Sequence, residues 1–343
     1  MSTIGTYGLI NAKVRTMRSY FLTDAQYRQL IEAKSLREFW SQLNQTHYAP
    51  LVKTVNYQEP VQVEQSFLLA EIQQFIRIKK YSRKKTADVL NRLIERYEGE
   101  KLKIILRSWF RQGKGADAIL PDRILYNFPI QEMAKAKDIH EIILLLEGTP
   151  FQKVLMQAKQ DFIETRSLFP LELAIDRRVF QRMLEMKSFL NRRDRRIAER
   201  LIGVEIDLKN LEWIGRFKKY YQISSAKIAD YLLPHGYRLG AEQIRQSLGG
   251  DSITKILLQI MRGMKVDLPL EMEGEFALKS LDLFLKEILM REARRSFGEF
   301  PFSIGSILGY YYLMRLEMQN LRTLVQAKQY NLPPEDIDEM LFY

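Results

Sequence analysis

The sequence has no cysteine and only three histidines among its 343 residues. The lack of cysteine excludes a disulfide framework, a thiolate metal site and a cysteine nucleophile. His47, His140 and His235 lie far apart, which leaves little for a metal centre or for acid–base catalysis. Glycine and proline are also scarce, at about 5% and about 3% against the usual roughly 7% and 5%. This scarcity disfavours an all-β fold and favours long helices.

Membrane-spanning and catalytic signatures are missing as well. The charge-free stretch at residues 300–314 has 15 residues and contains Pro301, Gly305 and three tyrosines. A membrane helix needs roughly 20 apolar residues, so any membrane association is expected to be peripheral or through a partner. The motifs GxxxxGK[ST], GxGxxG, HExxH and GxSxG are all absent. The sequence therefore predicts no catalytic residue, no cofactor and no metal.

The positive charge is unevenly distributed along the chain. Lys and Arg number 53 against 42 Asp and Glu, which gives a net charge of +11. Residues 1–200 hold 35 basic against 23 acidic residues, a surplus of 12, whereas residues 201–343 hold 18 against 19. The densest basic runs are residues 77–85 and 192–196. They are either solvated faces of amphipathic helices or a surface that binds something acidic, such as lipid headgroups, nucleic acid or a partner protein.

Apolar residues recur at spacings of three and four along most of the chain, which predicts an all-α fold. The most regular helix is expected from about residue 304 to 330, with one buried face made of Ile307, Tyr311, Met314, Met318, Leu321 and Val325. Gly305 and Gly309, one turn apart at its start, would allow another backbone to approach. Other predicted helical segments are residues 64–111, 138–147, 172–200, 206–220 and 277–296, and residues 112–115 are predicted to form a loop.

A repeat is visible in the first half of the sequence. Residues 27–52 align without a gap on residues 130–155. The identical pairs are Ala33/Ala136, Lys34/Lys137, Glu38/Glu141, Leu43/Leu146 and Thr46/Thr149. Internal repetition of this kind indicates that one helical unit recurs.

Short basic-apolar elements suggest how often the unit recurs. They start at residues 13, 101, 208 and 320, with spacings of 88, 107 and 112. We therefore expect units at 13–100, 101–207 and 208–319 around a pseudo-threefold axis, with 320–343 packing back near the N-terminal unit.

An acidic residue precedes each of the last three elements, at Glu98, Glu205 and Glu317. These acids either form ion pairs with the basic residues four or five positions later, which are Lys103, Lys209 and Arg322, or form a polar ring that lines an opening where a partner docks.

The combination of four segments resembles a known family. They are YGLINAKVRTM at 7–17, EGEKLKIILR at 98–107, FSIGSILGY at 302–310 and EMQNLRTL at 317–324. In this order and at this length, the chain resembles the C subunit of the archaeal and bacterial V/A-type rotary ATPases, whose eukaryotic vacuolar counterpart is the d subunit.

This resemblance implies a funnel of three helical units that has no catalytic role. It would sit on the cytoplasmic side of the membrane as a peripheral part of the complex, between the shaft subunits of D and F type and the membrane proteolipid ring, and would also contact anionic lipid headgroups. It would transmit torque for proton or sodium transport. The residues expected at these interfaces belong to the repeated elements: Lys13, Arg15, Lys101, Lys103, Lys209, Asn210, Asn320 and Arg322. The alternative function is a helical-repeat protein that binds nucleic acid through its basic first 200 residues.

Overall fold

The computed structural model describes residues 3–57, 59–111, 120–217, 225–237, 239 and 275–343. Across these residues the regular structure is helical, apart from a β-bridge between Arg123 and Asn127. The all-α prediction is therefore confirmed. The loop predicted at residues 112–115 lies outside the described residues. No helix in the described part of the chain is long and apolar enough to cross a membrane.

The helices differ widely in length, and most of those within the repeat are short. In chain order they are α1 (Thr3–Arg18), α2 (Asp24–Glu32), α3 (Leu36–Leu43), α4 (Ala49–Val52), α5 (Pro60–Lys79), α6 (Lys84–Phe110), α7 (Ile130–Ala134), α8 (Ile139–Leu145), α9 (Pro150–Thr165), α10 (Phe169–Leu184), α11 (Arg192–Arg216), α12 (Ser225–Tyr231), α13 (Glu275–Gly298), α14 (Gly305–Gln329) and α15 (Pro334–Asp338).

The chain forms two compact units. The first comprises residues 1–185, 317–341 and 343, and the second comprises residues 186–316 and 342. Helix α14 is thus divided between them at Glu317. The finer division at residues 100, 207 and 319 stays a prediction.

Local sequence signals place most helix starts. Thr23 and Gln26 have the spacing of a capping box, which predicts a helix start there. They form that box at α2: Thr23 Oγ1 accepts from the Gln26 N–H, and Gln26 Oε1 accepts from the Thr23 N–H. Proline stands in the first turn of α5, α9, α10 and α15, where it removes no helical hydrogen bond.

The helix predicted at 206–220 starts much earlier, because α11 begins at Arg192. Asn191 caps it, with its side-chain Oδ1 accepting from the Asp194 N–H at 2.9 Å. The helical stretch predicted at 172–200 is accordingly interrupted, and a 3-10 turn at Glu185–Ser188 separates α10 from α11.

The two copies of the sequence repeat make the same local bonds. Ser35 caps α3 by accepting from the Glu38 N–H, and Asp138 caps α8 by accepting from the Glu141 N–H. The Glu38 carboxylate also accepts from the Lys34 N–H at 2.8 Å, as Glu141 does from the Lys137 N–H at 2.7 Å.

Later in the repeat, the hydroxyls of Thr46 and Thr149 each donate at 2.7 Å to the carbonyl three residues earlier, in Leu43 and Leu146. Those two leucines are fully buried. These shared contacts account for three of the five identical residues, namely the repeated Leu, Thr and Glu.

Close helix packing in the second unit depends on glycine, as predicted for the start of α14. A Cβ on Gly305 would lie 2.4 Å from the carbonyl oxygen of Ser296 in α13, and one on Gly309 would lie 2.8 Å from that of Ala293. The predicted apolar face of α14 is buried throughout, from Ile307 to Val325. The two helices therefore touch backbone to backbone at this point.

The repeated cap gives a local test. Removing the Ser35 hydroxyl in Ser35→Ala leaves the Glu38 N–H without its acceptor, which costs about 1 kcal/mol. Amide hydrogen exchange in residues 36–43 should then accelerate about fivefold. Ser41→Ala, an exposed change within the same helix, should not accelerate it. Equal acceleration in both variants would contradict the capping role of Ser35.

Candidate functional site

A pair of buried polar side chains three residues apart recurs on the long helices. In each case the first is an acid that accepts from at least one main-chain N–H group of a distant segment, and the second hydrogen-bonds to a nearby part of that segment. We call each pair a clasp. The pairs are Glu98/Lys101 on α6, Asp207/Asn210 on α11 and Glu317/Asn320 on α14.

The first clasp holds the segment that leads into α7. Glu98 Oε1 accepts from the N–H groups of Leu125 at 2.6 Å and Tyr126 at 2.8 Å. Its Oε2 lies 2.9 Å from Lys101 Nζ, and both side chains are fully buried. Lys101 also donates to the carbonyl oxygens of Pro121 and Asp122 and lies 4.4 Å from the ring centroid of Phe128. Burial lowers the pKa of Lys101, and the neighbouring Glu98 opposes that shift.

The second clasp holds residues 233–237 and Leu239, which follow α12. Asp207 accepts from the N–H groups of Tyr237 at 3.1 Å and Leu239 at 3.3 Å. Asn210 pairs with both main-chain groups of Leu233, donating at 2.9 Å and accepting at 2.8 Å. A Cβ at Gly236 would lie 2.0 Å from Asp207 Oδ1, so only glycine permits this approach.

The third clasp connects the last long helix to the first repeat. Glu317 accepts from the Leu22 N–H at 3.2 Å and from the hydroxyl of Tyr48. Asn320 Nδ2 donates to the hydroxyl of Tyr27 at 3.2 Å. Leu22 lies 103 residues before Leu125, which is the offset of the sequence repeat. Helix α14 therefore holds the first repeat at the point where α6 holds the second.

The clasps show that Asp207, rather than Glu205, is the acid of the middle segment that corresponds to Glu98 and Glu317. The acids Glu98, Asp207 and Glu317 are spaced by 109 and 110 residues, which is more even than the spacing derived from Glu205. Glu205 accepts instead from the Tyr312 hydroxyl at 2.9 Å and from Arg315 at 2.6 Å. Near-equal spacing of acid-x-x-polar groups was the sequence signal that could have identified Asp207.

The predicted interface residues fall into a buried and an accessible group. The buried ones are Lys101, Lys103, Asn210 and Asn320. Three of these are clasp residues, and Lys103 Nζ pairs at 2.7 Å with Asp176 of α10. All eight stay predicted interface residues, but a partner can reach the buried four only if the contacts around them open.

The other four are at least partly exposed. Arg15 is exposed and its Nε donates to Asn11, while the Lys13 ammonium lies 5.1 Å from the Tyr81 ring centroid. Lys209 pairs with Glu212 on its own helix at 3.0 Å. Arg322 pairs with Glu71 of α5 at 2.7 Å and with Glu64 at 3.3 Å.

The acids of the sequence elements bond within the chain, as expected if their role is structural. The partners differ from those predicted, because Glu98 does not pair with Lys103, nor Glu317 with Arg322. Lys103 and Arg322 reach acids on other helices instead, whereas Lys209 pairs with Glu212 on its own helix.

Comparison with known proteins decides the family. The sequence pattern of the ATP synthase (C/AC39) subunit matches residues 10–340. The chain belongs to the ATP synthase (C/AC39) subunit family. The resemblance to the C subunit of the V/A-type ATPases is therefore confirmed.

Similar members of the C/AC39 family are archaeal proteins, each named as the C subunit of an A-type ATP synthase. The chain is 26% identical to that of Methanocaldococcus jannaschii, with 98% of this chain and 86% of the relative covered. Identity is 25% to that of Methanosphaera stadtmanae, with 98% and 87% covered, and 22% to that of Pyrococcus horikoshii, with 98% and 90% covered. The match thus extends over nearly the whole C/AC39 chain.

The first clasp should dominate the stability of its part of this C/AC39 protein. Lys101→Met leaves the Glu98 carboxylate buried without its cation, and we expect the free energy of unfolding to fall by about 3–5 kcal/mol. Arg107→Met changes another residue of α6 and breaks its half-exposed pair with Glu172 of α10, which should cost less than about 1 kcal/mol. Urea unfolding followed by circular dichroism measures both, and similar losses would contradict a special role for the clasp.

The third clasp predicts a pH dependence. Burial raises the pKa of Glu317 from 4.5 to about 7, while hydrogen bonds from Tyr48 and Leu22 oppose the shift. Between pH 4.5 and about pH 7, the Glu317 carboxyl is therefore protonated in the folded protein but ionised in the unfolded chain. The contribution of Glu317 to the free energy of unfolding should therefore be greatest below pH 4.5 and should fall as the pH rises to about 7.

Glu317→Gln should remove this component of the pH profile, measured by urea unfolding from pH 4.5 to about pH 7. Glu335→Gln, which alters an exposed carboxylate of α15, serves as the control and should keep the profile. An unchanged profile in Glu317→Gln would show that the carboxyl titrates normally.

Proposed function

We propose that this chain is the non-catalytic adaptor of a V/A-type rotary ATPase. In that role it joins the rotating shaft, made of D-type and F-type subunits, to the proteolipid ring on the cytoplasmic side of the membrane. It transmits torque for proton or sodium transport. The family membership supports a place in the complex, and the clasps support the mechanical role.

The observation that carries the proposal is the repetition of the clasp on three long helices. A part that transmits torque must resist relative movement of its own segments. Each clasp ties a turn to a long helix through several hydrogen bonds at buried groups, where opening would leave unpaired polar atoms. Such bonds resist shear better than apolar contacts, which have no preferred direction.

The near-equal spacing of the clasp acids also supports the predicted pseudo-threefold funnel. One clasp at each interval of 109 or 110 residues is what three similar units would give. In this proposal the buried predicted residues shape the units, and the accessible ones contact the partners. Lys13 and Arg15 are the strongest contact candidates, because both lie on α1 and at least partly face solvent.

Reconstitution of the rotary complex tests the adaptor role. A complex assembled without this chain should keep ATP hydrolysis by its soluble sector and lose ATP-driven ion transport, and adding the purified chain should restore transport. Transport is measured both as quenching of a pH-sensitive dye and as uptake of radioactive sodium into the vesicles, because either ion can be the one moved. Full transport without the chain would refute the proposal.

Charge reversal tests the contact residues. Lys13→Glu/Arg15→Glu should weaken binding of the chain to the rest of the complex about tenfold, because attraction to an acidic partner becomes repulsion. Lys135→Glu/Lys137→Glu changes the charge equally, at two exposed residues of the same spacing and the same unit, and should bind normally. Equal weakening would indicate a general charge effect, and no weakening would place the contact elsewhere.

A further inference from the structure

The arginine run at residues 192–196 opens α11 without an acid to neutralise it. Asp194, the acid within the run, is buried and its oxygens are engaged. Its Oδ1 accepts from the Ile304 N–H at 3.0 Å, and its Oδ2 accepts from Asn191 Nδ2 at 2.8 Å. The guanidinium groups of the run therefore carry their charge toward solvent.

The arginines of this segment have two different environments. Arg195 turns back onto its own chain and donates to the carbonyl oxygens of Lys187 at 3.1 Å and Leu190 at 3.4 Å. The others line an open cavity of about 480 Å³ together with Ile197 and Glu299; they are Arg192, Arg193, Arg196 and Arg200. Positions 192, 196 and 200 are four residues apart, so they share one face of the helix.

One wall of the cavity is held rigidly. Arg200 Nε lies 2.8 Å from Glu292, and its NH2 group donates to Ser296 at 2.8 Å and lies 3.4 Å from Glu299. Arg200 is thus balanced by acids. Glu299 is also shared with Arg295, whose Nε lies 3.1 Å from it.

The other three guanidinium groups lack such partners in the part of the chain that the structure describes. The ion pairs found there do not include Arg192, Arg193 or Arg196. Arg193 is positioned by the Phe300 ring, 4.7 Å from its centroid, while Arg192 and Arg196 are exposed. Like charges four residues apart on a helix repel each other, so this arrangement costs stability unless an anion lies between them.

We propose that this cavity is a binding site for a phosphate-bearing anion with at least two negative charges, either a free phosphate compound or the phosphomonoester headgroup of a lipid. Guanidinium groups match phosphate oxygens with paired N–H donors, which distinguishes such a site from a simple cluster of lysines. The amino-terminal end of α11 adds the favourable end of the helix dipole. The inference is independent of the proposed adaptor role, because it depends only on these side chains.

Titration calorimetry with inorganic pyrophosphate tests the site on the full-length protein. We expect saturable binding with one site per chain. Arg192→Gln/Arg196→Gln should weaken it at least about tenfold, since two charge-assisted contacts are lost. Arg291→Gln/Arg294→Gln removes the same charge from exposed positions of the same unit that do not line the cavity, and should bind within about twofold of the unaltered protein.

Thermal unfolding gives a second readout that separates binding from folding. Pyrophosphate should raise the melting temperature of the unaltered protein and of the Arg291→Gln/Arg294→Gln control. Without ligand, Arg192→Gln/Arg196→Gln should melt no lower than the unaltered protein, because it loses mutual repulsion. Loss of the ligand effect in that variant supports the site, whereas an equal effect in all three proteins would overturn it.

Vesicle sedimentation distinguishes the two sources of phosphate. Recruitment to phosphatidylcholine vesicles that contain phosphatidic acid, reversed by pyrophosphate and absent in Arg192→Gln/Arg196→Gln, would assign a lipid headgroup. Pyrophosphate binding without recruitment would assign a free phosphate compound. The proposal is wrong if neither probe binds, if both variants lose binding equally, or if polyglutamate binds more tightly than pyrophosphate, which would indicate an acidic protein segment.

Discussion

The fold depends on carboxylates that are buried on long helices and accept hydrogen bonds from main-chain N–H groups of distant turns. Burial of a charged group is costly unless its hydrogen-bonding capacity is satisfied. Glu98 and Asp207 meet that condition with N–H groups supplied by another part of the chain. The pKa of Glu317 stays raised although Leu22 and Tyr48 donate to it, so its burial is only partly compensated. Because a displaced turn would leave its buried acid without hydrogen-bond partners, each acid also fixes the position of the turn that it binds.

The roles of the basic residues follow from this constraint. Lys101 compensates the buried carboxylate beside it, whereas Asn210 and Asn320 bind Leu233 and Tyr27 of the segments that their clasps hold. A basic residue in a repeated element is therefore no guide to a binding surface by itself. The better guide is an exposed basic side chain that has no acid of the same chain beside it. In the described part of the second unit, Arg192 and Arg196 are of this kind.

Much of the helical architecture was predictable because it depends on local signals. Apolar spacing identified α14 and its buried face, and the Thr23 capping box identified the start of α2. The start of α11 was missed because its cap, Asn191, precedes a run of charged residues with little apolar periodicity. The clasp partners could not be predicted either, since Glu317 and Leu22 are 295 residues apart and no local pattern encodes contacts at such distance.

The third clasp also bears on the order in which the chain can fold during synthesis. The first repeat is made early, yet Leu22, Tyr27 and Tyr48 obtain their buried partners from α14. Until the ribosome has released that helix, the hydrogen-bonding groups of these three residues must remain hydrated or find temporary partners. The amino-terminal repeat therefore reaches its final structure only after the carboxy-terminal segment has emerged, so the first part made is among the last to be completed.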